Sequence, residues 1–135
     1  MGKMFWHDRV LKRYMKSRGF QTSIDILTKN DVPIRIVLFE NIKHYQKTAS
    51  YSKAKDTIAT YYPPPTESDN TKCLGIMVFC VDKIGAGIVT HEMYHFGEHL
   101  QRLDWSSEEI ADTLQNATIS FWNWFYQVPD LDYNE

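Results

Sequence analysis

Apolar residues recur along this chain with two periods, and each period predicts its own elements. Residues 5–18 put Phe5, Val10, Leu11, Tyr14 and Met15 on one broad side, with Lys12, Arg13 and Lys16 outside. That pattern predicts a helix, which Gly19 stops. The stretches SIDILT, IRIVLFE and DTIATYY read as strands, the second introduced by Pro33 and the third ended by Pro63, Pro64 and Pro65. NIKHYQKTASYSKAK is polar and predicts no definite element. TESDNTK reads as a loop. CLGIMVFCV is almost unbroken in apolar residues, as expected of a strand covered on both faces. Gly85 and Gly87 then turn the chain into a helix at 88–103. DWSS separates it from a last helix, about Glu108 to Tyr126. Helix, several strands, helix and helix predict an α+β domain: a small, mostly antiparallel sheet of three or four strands with helices against it. One domain over residues 1–135 is expected, with a loose tail from Pro129.

The helix at 88–103 has two distinct sides. Val89, Met93, Phe96, Leu100 and Leu103 are spaced 4, 3, 4 and 3, an amphipathic core stripe. His91, His95 and Glu98 fall together on the opposite side, with Glu92 about a quarter-turn away. Histidines at i and i+4 are one turn apart, so both imidazoles reach one ion. A Glu directly after the first His is placed to take a proton from water on that ion. This is the HExxH arrangement, here His91-Glu92-Met93-Tyr94-His95. The plainer reading is a solvated helix face that happens to contain histidines.

Two histidines do not complete a catalytic zinc site, which uses three protein ligands and a water. His99 is one candidate third ligand. On an unbroken helix, however, it lies about 12 Å along the axis from His91, so it joins only if the helix breaks at Gly97. Downstream, SSEEIADTL places Glu108 and Asp112 four apart on one helix face. Ser106 and Glu109 have capping-box spacing, which assigns Glu109 to the helix start and leaves Glu108 available. Acidic residues in a first helical turn are also favoured by the helix dipole alone.

From Cys73 to Phe125 the chain resembles a minimal zincin of the gluzincin type. It is similar to the ImmA/IrrE-like peptidases and to small metallopeptidases encoded by phages. The shared pattern is an apolar strand, a Gly-containing turn, THEMYH, a short link and Glu-x-x-Ala from Glu108 to Ala111. The resemblance implies a zincin-like fold, Zn²⁺ and peptide hydrolysis. It implies His91, His95 and Glu108 as ligands, with Glu109 or His99 as alternatives, and Glu92 as general base. Asp112 would accept a hydrogen bond from a ligand imidazole, and Ala111 would let the two helices approach. Tyr94, His44 and Tyr45 are candidates to stabilise the transition state. CLGIMVFCV is a candidate sheet edge for an extended peptide or protein substrate. The competing expectation is a metal-binding or partner-binding protein on the same scaffold without peptidase activity.

Composition adds location and charge. No apolar run approaches the ~18 residues of a membrane span. The N-terminal stretch has no apolar signal-peptide core, and Trp6 stands where a myristoylation signal needs Ser or Thr. A soluble protein in the cytoplasm of a bacterial or phage-infected cell is expected, its oligomeric state open. Cys73 and Cys80 are seven apart, which on one strand puts them on opposite faces and prevents a mutual disulfide. Residues 1–55 carry 12 Lys/Arg against 4 Asp/Glu, a net +8, and residues 56–135 carry 3 against 13, a net −10. Either the halves pack together and offset each other, or the first presents a basic face to nucleic acid or an acidic partner.

Overall fold

Strand β4 (Ile76–Cys80) is the axis of the fold, and all five of its residues are buried. In the computed structural model, which describes residues 6–16, 18–48, 58–64, 70 and 72–127, it lies inside a four-stranded sheet of order β1-β2-β4-β3. The other strands are β1 (Phe20–Leu27), β2 (Pro33–Phe39) and β3 (Ala59–Tyr62). β1 pairs with β2 and β3 with β4, both antiparallel, whereas β2 and β4 are parallel. The sheet is therefore mixed, and the chain is α+β. The parallel pair arises because β2 and β4 are joined by a long crossover rather than a hairpin.

The alternation of side chains along the strands builds two cores. Ile34, Ile36 and Leu38 of β2 and Met77 and Phe79 of β4 face one layer. That layer is covered by α3 (Ala86–Arg102) and α4 (Ser107–Phe125). Val37 and Phe39, with Ile76, Val78 and Cys80, face the other. Against these pack α1 (Trp6–Met15) and α2 (Ile42–Thr48), through Val10, Leu11, Tyr14, Ile42 and Tyr45. The Val89, Met93, Phe96 and Leu100 stripe is buried as its spacing predicts, and Phe121 and Phe125 anchor α4 beneath Phe79.

Several expectations change. Part of the polar stretch after Asn41 is helix α2, whose N-terminus is capped by Asp82 Oδ1 accepting from Ile42 N. Met15 is 52% exposed rather than part of the core. Phe5 and the tail from Pro129 lie outside the described residues. Cys73 and Cys80 are both free, and both belong to the α1/α2 core, not to opposite faces. The strand begins only at Ile76, and Gly75, at φ 151°, breaks the alternation before it. Tyr61 occupies the space a Cβ on Gly75 would need: its Cε1 would lie 2.3 Å away. Finally, β4 is an inner strand, so the expected substrate edge is not there. The edge beside α3 is β3.

Candidate metal centre

α3 positions the central side chains because its apolar stripe faces the sheet. The histidines are thereby turned to the opposite, exposed side. The imidazoles of His91 and His95 meet edge to face, centroids 4.8 Å apart, with Nε2 to Nε2 at 3.2 Å. Two nitrogens on one tetrahedral zinc, each bonded at ~2.05 Å, lie about 3.3 Å apart. The pair thus has the bite of a zinc chelate, a spacing that also suits an N–H···N hydrogen bond between the rings.

Glu98 completes this pair. His95 Nδ1 is 3.0 Å from Glu98 Oε1. A proton on Nδ1 donated to the carboxylate leaves the lone pair on Nε2, the tautomer a metal ligand requires. The signal was visible in the sequence, since Glu98 lies three residues after His95 on the same helix face. The role expected of Asp112 is filled here by Glu98. Asp112 is exposed and lines a groove with Leu27, Thr28, Lys29 and Asn116 on the β1 side.

Glu92 sits between the histidine face and the core and is only 6% exposed. Burial pushes its carboxyl above the ordinary range, while the charges of His91 and His95 pull it back. A carboxylate held dry beside two imidazoles is equipped to exchange a proton with a group bound between them.

The candidate third ligands are dispersed. His99 points inward: its Nε2 is 2.7 Å from Asn70 Oδ1, and its ring lies 6.3 Å from that of Tyr61. Burial, then Arg102, lowers its pKa, and the ring is tied into the interior. The helix runs unbroken through Gly97, which removes the break that His99 would need. A Cβ on Gly97 would lie 3.0 Å from Leu114 Cδ1, so this glycine helps to bring α3 and α4 close. Glu109 completes both halves of the capping box with Ser106 and pairs with Lys29 Nζ at 2.5 Å. Glu108 is exposed on the first turn of α4, apart from the histidines. Among the described residues, no group of three His, Cys, Asp or Glu converges to hold an ion. The residues fit a metal as a two-histidine chelate with an oriented tautomer and a neighbouring carboxylate; a third protein donor is not assembled.

Of the residues considered for the transition state, His44 and Tyr45 lie on α2, across the sheet from the histidines. Tyr94 is beside the pair, 64% exposed, with its ring 6.0 Å from that of His95. From Glu98 a groove of about 590 Å³ runs between α3 and α4, floored by Ile110 and Leu114 and flanked by Tyr94 and Trp105. Among the described residues, no helix is long and apolar enough to cross a membrane. In comparisons with family models, curated proteins and solved structures, nothing matches this chain.

Proposed function

We propose that this chain is a zincin-like, zinc-dependent peptidase centred on His91, Glu92 and His95. The observation that carries this reading is the 3.2 Å separation of the two Nε2 atoms, with Glu98 fixing one tautomer. Zinc, when bound there, supplies a water of lowered pKa and polarises the scissile carbonyl. Glu92 receives the proton of the attacking water and passes it to the leaving nitrogen. Glu98 keeps the His95 ring in place. Glu108 is the proposed third ligand. Glu109 is committed to Lys29 and Ser106 and His99 to Asn70, whereas no hydrogen bond or ion pair holds Glu108 among the described residues. An extended peptide would pair with the outer edge of β3, which flanks α3, and lay a side chain in the α3–α4 groove.

The test is hydrolysis of an unfolded protein substrate by wild type and Glu92→Gln, with zinc content measured on both. The expected result is a loss of at least ~10²-fold in rate with zinc retained, the scale of a general base. Unchanged hydrolysis contradicts the reading. The dispersed third ligand favours one other role, a metal-dependent binding protein without peptidase activity. In that role Glu92→Gln keeps both metal and function.

A further inference from the structure

The sheet separates the charges of this molecule. Residues 6–18 and 40–48, which build α1 and α2, carry seven Lys/Arg against two Asp/Glu. Residues 86–127, which build α3 and α4, carry Arg102 against six Asp/Glu. The two sets cover opposite faces. Among the described residues, Lys29 pairs with Glu109 and Arg35 with Asp25.

On α1, Arg9, Lys12 and Lys16 are all exposed and follow one another at spacings of three and four. They form a line about 10 Å long on the outer side of the helix. The inner side is used, with Val10, Leu11 and Tyr14 packed on the sheet. Gly19, at φ 96°, folds the end of α1 back towards α2; a Cβ there would lie 2.7 Å from His44 Cβ. That turn brings exposed Arg18 to the helix that carries exposed Lys43. Arg13, half-buried, holds its guanidinium over the Tyr14 ring at 5.5 Å. The described carboxylates on this side include Glu40, Asp25, which is paired with Arg35, and Asp82, which is occupied in capping α2.

From this segregation we propose that the α1–α2 face binds the phosphate backbone of a nucleic-acid duplex through Arg9, Lys12, Lys16, Arg18 and Lys43. A line of like charges with an occupied apolar side matches a polymer of evenly spaced anions. An amphipathic helix lying in a bilayer needs its apolar side available, and α1 packs Val10, Leu11 and Tyr14 on the sheet. A protein partner is disfavoured because lysine, three of these five residues, is depleted from protein interfaces. The contact is to phosphates, which carry no base sequence. It is independent of the chemistry at His91 and His95.

The experiment is fluorescence anisotropy of a labelled ~20-bp DNA duplex with the full chain, from roughly 50 to 200 mM salt. Contacts to about three phosphates predict a roughly forty-fold loss of affinity over that range. The variant R9Q/K12Q/K16Q/R18Q/K43Q should retain its melting temperature, since all five side chains are exposed, and lose the salt-dependent binding. A second variant, D112N on the acidic layer, should bind as wild type or more tightly. Three results overturn the proposal: no duplex binding at 50 mM salt, unchanged binding by the five-residue variant, or binding to vesicles of anionic lipid without binding to duplex.

Discussion

Glu98 shows how a single residue orients a histidine on a helix face. Its carboxylate, 3.0 Å from His95 Nδ1, selects which nitrogen of that ring can donate to an ion. Glu98→Gln should therefore weaken zinc binding by about 10–100-fold, measured by competition with a chromogenic chelator, while the melting temperature holds. Affinity equal to wild type would remove this role from Glu98. Glu109 acts on stability instead. Its hydrogen bond from Lys29, then that from the Ser106 backbone, lowers its pKa from the ordinary 4.5 to about 2. A depressed folded pKa stabilises above the unfolded value, and that stability is lost as pH falls from about 4.5 towards 2. Glu109→Gln should melt lower than wild type at neutral pH, by a margin that high salt reduces, and the gap should close across that acid window. A constant gap at all pH values would contradict the linkage. The histidine face and the Ser106 cap were legible in the sequence because both depend on spacing within one helix. The partner of His95 was less so. The resemblance implies Asp112 for that role, but which residue of α4 reaches the histidines depends on how two helices meet, which spacing along the chain does not encode.

Elements were legible wherever periodicity was strong. α3, α4 and β2 fall where the apolar pattern predicts, because each buries one continuous side. α2 shows no helical apolar period because its sequence is polar around one buried anchor, Tyr45; its local cap, Asn41 accepting from His44 N, is joined by Asp82 from far along the chain. The two cysteines were put on opposite faces because strand alternation was extended through Gly75. That glycine combines a positive φ with close contact to Tyr61, whose hydroxyl donates to Leu74 O at 2.7 Å. Gly75→Ala is expected to cost about 2–3 kcal/mol in chemical denaturation, through strain and displacement of the Tyr61 ring. A cost below ~0.5 kcal/mol, the scale of an ordinary surface change, would show that the turn tolerates a side chain.

At the scale of the whole molecule, the sheet separates two charges and, with them, the two roles proposed here. The sequence shows a basic half and an acidic half, and mutual packing was one reading of them. The halves do pack together, with Lys29 of the first paired to Glu109 of the second, while the fold sets the basic helices α1 and α2 and the acidic helices α3 and α4 on opposite faces, a fact no local pattern contains. It likewise makes β4 an inner strand and β3 the edge beside α3, because strand order follows from crossovers and not from hydrophobicity. The acidic layer carries the metal chemistry proposed here, with Glu92 and Glu98 beside the histidine pair. The most direct test of that chemistry is elemental mass spectrometry on untagged protein supplied with zinc, for wild type and His91→Ala. The prediction is about one zinc per chain in wild type and its loss in the variant, as for a site built on this chelate. A wild type without zinc, or a variant that keeps it, would contradict the metal centre.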